Sequence, residues 1–198
     1  MENRFMKVVA IIPAKGHSNR LPNKNITDFR GKPMLYWAIK ACKDSKYDID
    51  VWVSSDSGEV LEIASSFGAI PYKRSDALAQ DDVCKQDVIK DVAWHIMDGE
   101  YENPDAFISL QPNSPEVTGA DLDEGLDELF HSVKEEAMYE IFSVDSNLHQ
   151  NAVYRMFRSH YLMHDGYSVH VGAVICDKED IHTKEDLEKA EARVEIEK

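Results

Sequence analysis

Between positions 15 and 25 the chain gathers Lys15, Gly16, Ser18, Arg20, Lys24 and Asn25 into one polar stretch. Lysine and arginine bring charge to an anion, glycine lets the backbone approach it, and hydroxyl and amide groups add hydrogen bonds. From Lys15 to Lys32 there are five Lys/Arg (15, 20, 24, 30 and 32) against one acid, Asp28, so the window is net +4 in a chain of formal net charge −15. Such a cationic island suits a polyphosphate. The alternative is a solvated basic loop that only balances charge, and five cations beside a glycine favour the anion site. Neither G-x-x-x-x-G-K-[ST] nor G-x-G-x-x-G occurs, so phosphate binding here is of another kind.

The element that must hold these side chains comes directly before them. Lys7 to Ile12 is a short apolar, β-branched run that Pro13 ends, the pattern of a strand buried on both faces of a parallel sheet. In open α/β sheets, ligands bind beyond the carboxyl ends of the strands. Further on, strand-like and helix-like segments alternate. IDVWVS (49–54), 70–72, AFISL (106–110) and YEIFSV (139–144) read as strands. MLYWAIKACKDS, GEVLEIASSFGA, VCKQDVIKDVAWHIM, GADLDEGLDELFHSV and KEDLEKAEARVEIEK read as helices. This alternation predicts an α/β domain over 1–198 with a mainly parallel sheet. Pro33 suits a first helical turn, Gly68 closes the second helix, and Thr118 and Thr183 (with Asp186) stand as N-caps.

Composition excludes several classes. A pI near 4.9 argues against nucleic-acid binding, which wants a basic face. No apolar run approaches the roughly 20 residues of a membrane span, and MENRFMKVVAII leads into a strand without the pattern of a signal peptide. Cys42, Cys84 and Cys176 are far apart and form no C-x-x-C, so neither a zinc site nor a disulfide framework is indicated, and a reducing cytoplasm fits.

The stretch IIPAKGHSNRLPNKN resembles the signature of the sugar-acid cytidylyltransferases, the CMP-sialic acid synthetase family, whose usual form is P-A-R-x-G-S-x-x-[LI]-P-x-K-N. Pro13, Ala14, Ser18, Leu21, Pro22, Lys24 and Asn25 match, whereas Lys15 replaces an arginine and His17 a glycine. Lysine keeps the charge but loses the bidentate fork. The likeness covers most of the chain to Val144 and returns weakly from Gly172 to Leu187. It implies a three-layer α/β/α nucleotidyltransferase fold, Rossmann-like and GT-A-like. It also implies transfer of CMP from CTP to a 2-keto-3-deoxy sugar acid, with pyrophosphate released. Magnesium is the implied cofactor and a homodimer the candidate assembly. Lys15 and Lys24 would hold the triphosphate, and Ala14, Gly16, Ser18 and Asn25 would contact the nucleotide.

Other residues enter through the same resemblance. The loop from Arg74 to Asp82 is similar to the family's R-x-x-E-L-A-x-D, which implies base reading by Arg74 and Ala79; alone, Arg74 reads as a surface partner of Asp76. Gln111-Pro112-Asn113-Ser114-Pro115 is similar to L-Q-P-T-S-P and places Gln111 at the sugar. Asp56 follows a strand, and capping of the next helix is the favoured reading over a ligand role. Arg155 and Arg158 stand equally as ligands of the sugar carboxylate and as strand residues. Asp180-Ile181-His182-Thr183 is similar to D-I-D-T, whose two carboxylates hold Mg²⁺. Asp180 is therefore a candidate ligand and His182 a poor direct substitute, because magnesium prefers hard oxygen donors.

Overall fold

The computed structural model describes residues 6–99, 103–131, 138–164 and 170–196. Seven strands form one sheet in the order β5-β4-β1-β6-β8-β7-β9. They are β1 (Val8–Pro13), β4 (Ile49–Ser55), β5 (Ile70–Lys73), β6 (Ala106–Leu110), β7 (Glu140–Val144), β8 (Gln150–Arg158) and β9 (Val171–Ile175). β1 pairs in parallel with both β4 and β6, β4 with β5, and β7 with β9; only β8 runs antiparallel, to β6 and β7. The expected mainly parallel sheet is therefore present, and its reversed strand lies in NAVYRMFR, a run the sequence left open between strand and ligand segment.

Helices α1 (Met34–Asp44), α2 (Gly58–Ser66) and α4 (Gly119–His131) cover one face; α3 (Lys85–Asp98) and the short α5 (Ser159–Leu162) cover the other. The period-two alternation of β1 divides it between them. Val8, Ala10 and Ile12 pack with Leu35, Ile39, Leu122 and Leu126, while Val9 and Ile11 pack with Ile89, Val92 and Ile96. At about 25 cal/mol per Å² of apolar surface buried, such fully enclosed side chains supply the main drive to fold.

A smaller cluster fixes the last helix. The hairpin β2 (Asp28–Phe29) and β3 (Lys32–Pro33) turns through Arg30 (φ 54°) and Gly31 (φ 79°). Positive φ at both central residues is the geometry of a tight primed turn, which glycine adopts freely and arginine does not. The hairpin delivers Phe29 to Met34, Ile181, Leu187 and Ala190, and so anchors α6 (Lys184–Ile196) against α1. Ile181 is 1% exposed, and its N–H donates to Asn113 O at 2.8 Å. That single buried side chain docks the 180–183 segment onto the end of β6. Thr183 and Asp186 form the expected reciprocal cap: Asp186 N–H donates to Thr183 Oγ1 (3.2 Å) and Thr183 N–H to Asp186 Oδ2 (2.8 Å). Thr118 and Asp121 do the same ahead of α4.

Candidate active site

The chain leaves β1, builds β4 and β5 on one side, and returns to build β6 on the other. The loops after β1 and β6 therefore diverge at their carboxyl ends and open a crevice. A cleft of about 270 Å³ lies there, lined by Lys15, Ser18, Arg20, Lys24 and Asn25 from the first loop and by Gln111 from the second. A neighbouring cleft of about 560 Å³, lined by Asp56, Ala79 and Asp82 among others, shares Lys15, His17 and Asp81 with it. The expected anion loop thus faces a cavity with Gln111 across from it, and Ala79 opens onto the adjoining space.

Several candidates already have partners that hold the loop. Ala14 is fully buried and its N–H donates to Ser54 O at 2.9 Å, which extends the β1–β4 pairing by one residue and removes its donor from any nucleotide contact. Asn25 is 5% exposed and donates from Nδ2 to Lys15 O at 2.8 Å, tying the two ends of the loop; its Oδ1 is buried with no partner among the described residues. The Lys15 ammonium forms an ion pair with Asp81, to which Asn19 Nδ2 also donates at 3.2 Å. An incoming triphosphate must take Lys15 from that carboxylate.

Asp56 corrects the capping expectation. The N-cap of α2 is Ser57, whose hydroxyl accepts from Val60 N–H at 3.4 Å. Asp56 Oδ1 instead accepts from Gly16 N–H at 3.0 Å and from Arg74 Nη2 at 3.2 Å. Burial pushes the Asp56 carboxyl up, but the Gly16 N–H and the Arg74 guanidinium together hold it below the usual range. Gly16 is required at this contact, since a Cβ there would run into Ser57 Cβ. Arg74 is 5% exposed and sits behind Asp56, outside the residues lining either cleft. It braces the loop through Asp56, which is the group that reaches the second cleft.

The arginines of β8 separate. Arg158 is paired with Ala106, the first residue of β6, so it stands at the end of the sheet opposite Gln111. Its Nη2 donates to Leu129 O at 3.0 Å and its guanidinium lies 4.6 Å from the Phe130 ring, so it packs α4 onto the sheet and does not join the site. Arg155 is paired with Ser109 near the other end, and its Nε donates to the buried Glu140 carboxylate at 2.8 Å.

Across the crevice, Ser114 Oγ donates to Asp180 Oδ1, and His182 Nε2 lies 3.8 Å from Asp180 Oδ2. With Ile181 buried between them, Asp180 and His182 share the outward side of the segment, as the period of an extended chain requires. Burial and the nearby Lys24 charge lower the His182 pKa against the opposing pull of Asp180. The imidazole is therefore neutral above its ordinary pKa of about 6.5, and remains so somewhat below it. Lys24 is half-buried and makes no side-chain hydrogen bond or ion pair among the described residues. Burial lowers its pKa while Asp180 opposes the shift.

No group of three or more His, Cys, Asp or Glu among the described residues is placed to hold a metal ion. One carboxylate, Asp180, with a neutral imidazole beside it, does not cage magnesium. It does fit the mode in which one protein carboxylate and the oxygens of a bound phosphate share the ion.

Lys85, the first residue of α3, went unread in the sequence. It is half-buried, and burial lowers the pKa of its ammonium while the Asp180 charge opposes the shift. The available signal was a lysine in a first helical turn, where the helix dipole favours acids.

A seven-stranded α/β sandwich with a cationic crevice at its switch point defines a protein of the nucleotidyltransferase fold. The comparisons agree with that class. The fold superposes on CMP:2-keto-3-deoxy-manno-octonic acid synthetase complexed with CTP with a TM-score of 0.74 at 18% identity, covering 97% of this chain and 100% of that one. It also superposes on a nucleotidyl transferase from Methanothermobacter thermautotroptrophicus at 0.71 and 13% identity, over 96% and 99% of the two chains. The chain belongs to the cytidylyltransferase family, whose model matches residues 9–190. Relatives include N-acylneuraminate cytidylyltransferase A of Danio rerio, 33% identical over 54% of this chain and 24% of that protein. Pseudaminic acid cytidylyltransferase of Campylobacter jejuni is 35% identical over 56% of this chain and 47% of its own length. The chain thus spans about half or less of the length of these curated relatives. No described helix is long and apolar enough to cross a membrane.

Proposed function

We propose that this chain transfers CMP from CTP to a 2-keto-3-deoxy sugar acid and releases pyrophosphate. The observation that carries the reading is Lys24, an ammonium left unpaired and partly desolvated beside Lys15 and Arg20 in the crevice of a cytidylyltransferase fold. A buried cation without a partner is costly unless an anion completes it. The acceptor's anomeric hydroxyl attacks the α-phosphate: a P–O bond forms, the hydroxyl proton passes to water, the bond to the bridging oxygen breaks, and its electron pair leaves with pyrophosphate. Phosphoryl chemistry of this kind depends mostly on positioning and on stabilising charge. Lys15 and Lys24 neutralise the triphosphate and the departing pyrophosphate, Ser18 offers a hydroxyl to it, and Gln111 orients the sugar. Asp180 would hold a magnesium ion together with phosphate oxygens, and that ion would supply Lewis-acid stabilisation of the phosphate charge. The Ser114 hydroxyl orders the Asp180 carboxylate, and the neutral His182 beside it adds no hard ligand.

The test pairs binding with turnover. CTP at about 100 times its Kd is expected to raise stability by roughly 2.7 kcal/mol, with no comparable effect of GTP. Pyrophosphate release is then followed with CTP, Mg²⁺ and a panel of sugar acids. Absence of stabilisation by every nucleotide would remove the reading. The metal assignment has its own check. His182→Asp places a second carboxylate where the imidazole lies 3.8 Å from Asp180. It is expected to lower the Mg²⁺ concentration for half-maximal rate roughly tenfold. An unchanged magnesium requirement would show that the ion does not sit against this segment.

A further inference from the structure

We infer that Asp81 is an internal stand-in for phosphate: in the empty site its carboxylate holds Lys15 and Asn19, a polyphosphate displaces it, and it returns to them as pyrophosphate leaves. The inference rests on the proposed reaction, since it concerns what occupies the phosphate loop between turnovers. It begins from the form of one contact. Lys15 Nζ donates to Asp81 Oδ1, and Asn19 Nδ2 donates to Asp81 Oδ2 at 3.2 Å. Two side chains of the loop after β1 thus each take one oxygen of the same carboxylate, as paired donors take two oxygens of a phosphate. The Lys15 hydrogen bond and charge, and then the Asn19 amide, hold the Asp81 carboxyl below its usual range, so it is an anion at neutral pH.

The contact also stands where a ligand must pass. Asp81 follows the short turn Asp76–Ala79 and precedes α3, 66 residues from Lys15 in sequence, so the pair ties two separate loops together. Lys15, His17 and Asp81 line both clefts, which makes the ion pair part of the wall between them. The cleft on the Lys24 side, at about 270 Å³, is smaller than the roughly 300–1,000 Å³ of small-molecule sites. Joined to its neighbour of about 560 Å³, it falls within that range. A nucleoside triphosphate with its phosphates against Lys24 therefore needs Lys15 and Asp81 apart.

An exposed ion pair is weak, and weakness is what this role requires. Asp81 is 75% exposed and Lys15 29%, so a ligand with several negative charges can break the tie. The tie still acts on binding. A site that is closed for part of the time binds every ligand that needs it open more weakly, by one common factor. Once displaced, the carboxylate also lies near the bound phosphates and repels them. Both effects loosen pyrophosphate, the product that must leave, and product release limits turnover in many enzymes. CMP brings only the α-phosphate and leaves Lys15 to Asp81.

The experiment is calorimetric titration of wild type, Asp81→Asn and Asp81→Glu with pyrophosphate, CTP and CMP. Asp81→Asn is expected to bind pyrophosphate and CTP roughly three- to tenfold more tightly, by the same factor for both, and CMP within about 1.5-fold of wild type. Asp81→Glu keeps the charge on a longer arm and should stay closer to wild type than Asp81→Asn does. In about 0.5 M salt the gain should shrink, because the pair is already screened. The ligand-free melting temperature of Asp81→Asn should stay within about 3 °C of wild type, as for loss of one exposed pair. Unchanged pyrophosphate affinity would overturn the inference. So would an equal gain for CMP, which marks a general charge effect, or weaker CTP binding, which makes Asp81 a ligand contact. A much lower melting temperature would make the pair a tie of the fold and overturn it too. Each of these leaves the proposed function standing. A wild type that binds neither CTP nor pyrophosphate would overturn both.

Discussion

Lys24→Met is expected to lower kcat/KM for CTP by roughly a hundred- to a thousandfold, the range in which removal of one preorganised charge-stabilising donor falls. The side chain starts a short helical turn, Lys24–Ile26, entered through Asn23 in the left-handed region (φ 54°). Lys24 N–H donates to Leu21 O at 3.1 Å and the Asn25 amide ties the turn to Lys15 O, so the backbone position is set without help from the ammonium. The ammonium itself is desolvated and only opposes that loss through the Asp180 charge. Its removal should leave the ligand-free melting temperature unchanged or slightly raised, because methionine fills the same space with no charge to bury. Lys24→Arg should restore part of the rate. Rates within threefold of wild type, or a variant that melts several degrees lower, would mean that the lysine holds the fold and not the phosphate tail.

That separation of roles, ligand group against brace, marks the limit of what the sequence shows. Strand β1 and the helices around it were legible because the two periodicities, two along a strand and 3.6 along a helix, record which side is buried. Lys15, Ser18, Lys24 and Gln111 were legible as a set lining one cleft because they follow strand ends, and strand ends converge. Strand β8 was harder. Arg155 and Arg158 interrupt its apolar run, and only the sheet shows that one pairs with a buried glutamate while the other packs α4. The two-residue strands β2 and β3 carry too few positions for any period to register. Asp56 was misread because local capping rules see neighbours a few residues apart, and the cap fell one residue later, on Ser57. Lys85 was passed over for a related reason: in an amphipathic helix a lysine looks like part of the solvated face until the helix is packed and half buries it.

Asp56→Ala should show how much of the site rests on that brace. The carboxylate receives Gly16 N–H and Arg74 Nη2, and its loss leaves a guanidinium that is 5% exposed without its charged partner. Breaking a fully buried pair by removing one partner costs about 3–5 kcal/mol. With Asp56 itself 21% exposed, water offsets part of the loss, and about 2–3 kcal/mol is expected. For a chain of this size that is a fall in Tm of roughly 4–12 °C. Asp56→Asn keeps an oxygen for Gly16 N–H and should lose less. The pH dependence follows from the depressed carboxyl. Its stabilisation is complete above the ordinary aspartate pKa near 4 and is lost as pH falls through the lower folded value. The stability gap between wild type and Asp56→Ala, read by urea unfolding, should be level from about pH 5 to 8 and shrink below about pH 4. CTP should also stabilise the variant less than the wild type, because Gly16 and the lysine beside it are no longer pinned to β4. A gap that widens in acid would show that the carboxylate is not the charged tie between these loops, and full CTP stabilisation in a destabilised variant would confine Asp56 to the fold.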